Sequence, residues 1–281
     1  GFALVESGPG STRAAVLAGL EGAGLDPAEL RYVLLTHIHL DHASATGDLV
    51  AGTDAQVVVH EVGAPHMVDP SRLMASALRV YGDALEALWG HMRPVPAASV
   101  TAVAGGEVID VGGLSVRVIY TPGHASHHVS YLLVDGTLFT GDSAGVKLAG
   151  SGVVRPALPP PDLDLDAWEG SVKRMLDARP ERLILTHFGP VAGAEPAAAH
   201  LRLTLERNRV WSEEVLVGMN AGEDDAALVA RIRALEDAEL AADGALPGVR
   251  QRYKVTSDAA MTVGGVKRYF TKLHPERLRP A

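Results

Sequence analysis

The chain has 281 residues, 47% of them hydrophobic, enough to bury one large core or one large domain with a smaller appendage. Its 25 basic and 34 acidic residues leave a net charge of -9, which argues against a nucleic-acid partner, because such affinity rests on Lys and Arg neutralising phosphates. It has no cysteine, so disulfides, Cys-ligated zinc and thiol nucleophiles are excluded together, and any metal must be held by His and carboxylate.

Gly1-Phe2-Ala3-Leu4-Val5-Glu6 reads as an apolar strand already under way, so the start is compatible with residues upstream. No apolar run approaches the roughly 20 residues needed to cross a bilayer, and no stretch has the order of a signal peptide. The expectation is a cytoplasmic protein without a membrane partner, an upstream signal being the one feature this start leaves open. Gly8-Pro9-Gly10 breaks the chain before a helical pattern over 12–22, for which Ser11 or Thr12 is the expected cap. Apolar, β-branched runs at 33–36, 56–59, 116–120, 132–134, 138–140 and 182–185 read as buried strands. Between the second and third lies a proline-bounded helical insertion at 70–92. Its Leu73, Leu78, Tyr81, Leu85 and Trp89 are expected to pack into the core rather than roof a pocket. A helix is predicted over 166–178, with Trp168, Val172, Met175 and Leu176 at helical spacing. From Pro196 the pattern is mainly helical, with Asp225 as the expected cap of a helix whose stripe is Leu228, Ile232 and Leu235; the tail at 255–270 gives no firm assignment. This mixture predicts an α/β sandwich.

The strand at 33–36 runs into Thr36-His37-Ile38-His39-Leu40-Asp41-His42-Ala43. In extended chain, residues i and i+2 point the same way, so His37 and His39 form a pincer, while Asp41 and His42 fall where the chain turns into the next helical stretch. His124, Asp142 and His187 likewise stand just past predicted strands, where α/β folds gather their catalytic groups. A weak echo links Tyr-Val-Leu-Leu-Thr-His at 32–37 with Arg-Leu-Ile-Leu-Thr-His at 182–187, each a strand that ends by presenting a histidine.

H-x-H-x-D-H, then Gly123-His124, Gly141-Asp142 and Thr186-His187, in that order, resembles the metallo-β-lactamase superfamily of metallohydrolases over about residues 1–190. The resemblance implies an αβ/βα four-layer sandwich with a dinuclear site at one edge. The catalytic domain would be 1–195, including the helical insertion, followed by a mainly helical extension at 196–281. It also implies that His37, His39 and His124 hold one metal, that Asp41, His42 and His187 hold the second, and that Asp142 bridges them. His128 would support a ligand, whereas His127 would face either the pocket or solvent.

Imidazole and carboxylate suit two divalent ions, zinc foremost, with iron and manganese also compatible. Such a pair activates a bridging water for attack on a carbonyl or phosphoryl group, with Asp41 the expected proton carrier. The implied function is a dinuclear hydrolase of an ester-like bond in a small molecule, a thioester or lactone ahead of a phosphoester. The absence of cysteine disfavours the β-lactamase subclasses that use a Cys ligand, and Gly145 stands where lactonase relatives place Tyr. No basic set for holding glutathione is identifiable in the tail. The alternatives are a mononuclear iron oxidoreductase of the persulfide dioxygenase kind and a ligand-binding member with little turnover. His60 is expected at a cap or rim, His66, His91, His200 and His274 in surface or structural roles, and Arg155 in a loop beside the substrate or in a rigid spacer. The apolar helical tail favours burial against a second subunit, hence a homodimer, with a monomer also compatible.

Overall fold

The computed structural model describes residues 1–256 and 258–279, so Ser257 in the unassigned tail lies outside the described residues. It divides into two compact units, Gly1–Tyr120 with His127–Val134, and Thr121–Ser126 with Asp135–Ala281. No helix among the described residues is long and apolar enough to cross a membrane.

The first unit runs β1 (Phe2–Val5), α1 (Arg13–Gly22), β2 (Leu30–Leu34), α2 (Leu40–Ala43), α3 (Thr46–Val50), β3 (Gln56–His60), α4 (Ala64–Val68), α5 (Ser71–Tyr81), α6 (Leu85–Trp89), β4 (Val100–Val103), β5 (Val108–Val111), β6 (Leu114–Tyr120) and β7 (Val129–Leu133). Strands β1, β2, β3 and β4 pair in parallel in that order, and β5, β6 and β7 form an antiparallel meander. A parallel strand covered on both faces reads as a near-continuous apolar run, which is why 33–36 and 56–59 are legible in the sequence. Val33, Leu35, Val57 and Val59 are fully buried. Tyr131 on β7 lies against this sheet and donates its hydroxyl to Leu35 O at 2.8 Å. Burial pushes that phenol's pKa upward, so it remains a donor.

The insertion is helical, as predicted. Leu73, Tyr81, Leu85 and Trp89 pack against the first unit's core, but Leu78 and Leu88 are exposed. Neither Ser11 nor Thr12 caps α1 through its side chain. Ser11 Oγ donates to Leu88 O at 2.7 Å and Thr12 Oγ1 to Pro9 O at 3.1 Å, so both serve the preceding turn and its neighbour α6. Strands β4 and β5 escape a periodicity reading because each has four residues and buries only one of them.

The second unit runs β8 (Thr137–Gly141), α7 (Leu165–Asp177), β9 (Arg182–Leu185), β10 (Gly189–Ala192), α8 (Ala194–Asn220), α9 (Asp225–Ala242), α10 (Pro247–Thr256) and α11 (Ala259–Leu273). Strand β8 pairs in parallel with β9, and β10 is antiparallel to β9. Trp168, Val172 and Met175 form the buried stripe of α7. The cap of α9 is Asp224, one residue before the predicted Asp225, and it accepts from Ala227 N at 2.8 Å.

The stripe of α9 includes Glu236 as well as Leu228 and Ile232. A buried carboxylate in an apolar stripe needs a partner, and Arg155 supplies it at 2.8 Å, with no exposure of its own. The guanidinium also lies 4.5 Å from the Tyr253 ring centroid, so Arg155 ties its loop to α9 and α10 instead of bordering a substrate.

Candidate metal centre

In the first unit, β2 ends at Leu34 and the chain continues extended to His39, the residue before α2. Val129 N donates to Thr36 O at 2.7 Å, which holds this segment beside the start of β7. His37 and His42 are fully buried, while His39 and Asp41 are part-exposed. His37 Nε2 and His39 Nδ1 face each other at 3.1 Å, and His42 Nε2 stands 3.3 Å from Asp41 Oδ2. Ligands bound to one metal at about 2.0–2.1 Å in tetrahedral geometry are separated by roughly 3.3 Å, so both spacings fit ligation.

Behind these groups lies a carboxylate absent from the sequence reading. Glu6 Oε1 accepts from His42 Nδ1 at 2.8 Å and from the hydroxyl of Thr36, whose Oγ1 is 3.1 Å from His37 Nδ1. A carboxylate accepts only, so it fixes the proton on His42 Nδ1 and directs Nε2 towards Asp41. The same carboxylate steadies His37 through Thr36. Glu6 holds a left-handed backbone, φ 66°, which for a residue with a side chain costs roughly 1–2 kcal/mol. Strain of this kind gathers at functional sites. The sequence signal was available, since Glu6 is a polar residue immediately past an apolar strand, as the other candidates are.

His128 is fully buried, with its ring centroid 4.9 Å from that of His37; His127 is also buried, and Ile38 N donates to its Nδ1 at 3.4 Å. His60 is buried rather than on a rim. Its ring stacks on Tyr120 at 4.7 Å and its Nδ1 accepts from Val62 N at 3.2 Å, so the turn-capping half of the expectation holds.

In the second unit, Asp142 presents Oδ2 to His124 Nε2 and Oδ1 to His187 Nε2, each at 3.3 Å. His124 Nδ1 donates to Ala157 O at 2.8 Å, which turns Nε2 towards the carboxylate. Gly123, at φ 138°, lies so close to Trp168 that a Cβ would overlap that side chain, so glycine is required just before His124. The turn Asp142–Ala144 is gripped from several sides: Trp168 Nε1 donates to Ser143 O at 2.8 Å, and Ser143 Oγ donates to Thr121 O at 3.0 Å. His187 follows β9 and precedes Phe188, which holds φ 80°.

Each unit thus carries its own cluster of the predicted ligands: His37, His39, Asp41 and His42 in the first, and His124, Asp142 and His187 in the second. Of the histidines assigned to surface or structural roles, His274 pairs with Asp166 and Glu276 near the surface, while His200 is buried and bonded to the Asp142 turn.

The family model of the metallo-beta-lactamase superfamily matches residues 1–187. A metallo-beta-lactamase fold-containing protein of Sulfurisphaera tokodaii is 35% identical over 69% of this chain and 74% of its own length. A hydroxyacylglutathione hydrolase of Acidiphilium cryptum is 35% identical over 46% of this chain, which spans only 40% of that relative. A solved metallo-beta-lactamase family protein of Thermus thermophilus superposes with a TM-score of 0.68 at 20% identity, over 95% of this chain and 84% of the other. That likeness extends the shared fold into the helical C-terminal part.

Proposed function

Because the chain belongs to the metallo-β-lactamase superfamily, whose members are generally hydrolytic and typically bind metal ions, we propose that it is a dinuclear metal-dependent hydrolase of an ester-like bond. An acyl thioester is placed ahead of a lactone, and a phosphoester last. His37, His39 and His124 would hold one ion and Asp41, His42 and His187 the second, with Asp142 serving both. The observation carrying this reading is the Asp142 carboxylate, whose two oxygens each face a different imidazole at 3.3 Å. Two divalent ions fit this all-nitrogen-and-oxygen donor set, with zinc placed first.

When bound, such a pair supplies a water acidified towards neutral pH and a charge for the oxygen of the carbonyl under attack. The protein's own groups do the rest. Glu6, Thr36 and the Ala157 carbonyl hold His42, His37 and His124 in the tautomers that ligation needs. Asp41 has a side chain 31% exposed, against 5% for Asp142. Asp41 is therefore the carboxylate placed to take a proton at Oδ and pass it to solvent, and Asp142 the one held for ligation.

The substrate preference rests on the acylglutathione hydrolase among the relatives and on Gly145. A Cβ at Gly145, φ 69°, would lie 2.6 Å from Arg155 O, so this backbone gives no place to the tyrosine that lactonase relatives carry there. Metal analysis of the purified protein should find about two ions per chain, falling sharply in Asp142→Ala, and acyl thioesters should turn over fastest in a panel with lactones and phosphodiesters. One iron per chain with oxygen uptake on a persulfide would overturn the hydrolase reading. Bound metals with no turnover across the panel would identify a binding protein instead.

A further inference from the structure

The turn that carries Asp142 is held by a helix from the C-terminal part of the chain, beyond the segment matched by the family model. His200 Nε2 donates to Ala144 O at 2.8 Å. One helical turn on, Thr204 Oγ1 lies 3.0 Å from the same oxygen and 3.0 Å from His200 O, sharing its single hydrogen between them. His200, Thr204, Ala144 and Asp142 are all buried. Beside the grip of Trp168 and Ser143 described above, the backbone flanking the turn is soft. The turn spans three residues between Gly141 and Gly145, both in the left-handed region at φ 53° and 69°, so the backbone on either side is of the most permissive kind. Inside it, Gly145 N closes onto Asp142 O at 2.9 Å, and Trp168 takes Ser143 O. Ala144 O is thus the remaining carbonyl of the turn, and α8 supplies two side chains to it.

We infer that His200 and Thr204 are positioning residues for Asp142: from α8 they fix the Ala144 carbonyl, and through it the direction of the Asp142 carboxylate. The C-terminal helices are then part of the metal centre's framework rather than an appendage to it. The inference rests on the reading of Asp142 as a metal ligand. Rotating the turn by a few tenths of an ångström would swing both carboxylate oxygens away from His124 and His187 while leaving the sheet and α8 folded.

The test uses the full chain, stripped of metal and titrated with cobalt(II), whose visible absorption reports ligand geometry. The variants are Thr204→Val, which keeps shape and loses the hydroxyl; His200→Phe, which loses the donor; and His200→Gln, which returns an N–H donor. Val215→Ala, also buried on α8, controls for loss of stability alone. Thr204→Val and His200→Phe are expected to weaken cobalt binding about tenfold each and to alter the cobalt spectrum. His200→Gln should recover much of both, and Val215→Ala should bind as the parent does at equal or lower melting temperature. Parent-like cobalt affinity and spectrum in folded Thr204→Val and His200→Phe, with Asp142→Ala weakened, would overturn the positioning role. Unchanged cobalt binding in Asp142→Ala itself would overturn the two-metal reading, and this inference with it. A loss in Val215→Ala equal to that in the other two would also overturn it, reducing the effect to stability.

Discussion

Glu6 shows how much one side chain can set from behind the proposed ligands. Its carboxylate joins His42 directly and His37 through Thr36, so one group orients a proposed ligand of each ion. Replacing it with glutamine keeps the size but offers His42 an amide that can donate as well as accept, and removes the charge that favours the Nδ1 proton. Glu6→Gln should therefore weaken metal binding about 10–100-fold, the usual range for groups that orient ligands, while the fold persists. A competition titration with a coloured chelator reads this directly. Parent-like affinity in a folded variant would show that Glu6 only shapes the turn after β1.

At the scale of elements, the sequence was most readable where burial on both faces gave continuous apolar runs, as at the end of β2 and in β3. It was least readable where tertiary hydrogen bonds replaced local rules. The motif that carries the proposed ligands was legible because each of them stands past a strand; the groups that hold these side chains and their turn, Trp168, His200 and the Ala157 carbonyl, were not, because they come from distant sequence. For Arg155 the sequence left two roles open for the same reason, since the partner that favours the spacer, Glu236, lies in a helix far along the chain. The cap of α9 was a local matter and was missed by one residue, because Asp224 and Asp225 look alike until one of them is seen accepting from Ala227 N. The two can be told apart by stability. Asp224→Ala should cost about 1 kcal/mol, the typical value of a lost cap. Asp225→Ala, which removes an exposed pairing with Lys267, should cost less. Urea midpoints at constant slope decide the order, and a larger loss in Asp225→Ala would restore the sequence-based assignment.

For the whole molecule, acid should act through the buried histidines as well as through any bound metal. His60 in the first unit and His200 in the second both have pKa values lowered from 6.5, in each case chiefly because burial disfavours the imidazolium; for His60, Glu61 and Glu107 pull the other way without prevailing. An unfolded histidine takes up its proton near 6.5, whereas the folded one stays neutral to lower pH, so below that value the unfolded chain binds more protons. The stabilisation is therefore fully present above 6.5 and is lost as pH falls from there through the lowered folded values. His60→Asn can keep an acceptor for Val62 N without a titrating ring, so it isolates one of these two contributions. With chelator present, urea midpoints about one unit above and about one unit below 6.5 should fall further for the parent than for His60→Asn. An equal fall in both would mean that His60 is protonated in the folded state too, and that its stacking on Tyr120 tolerates the charge.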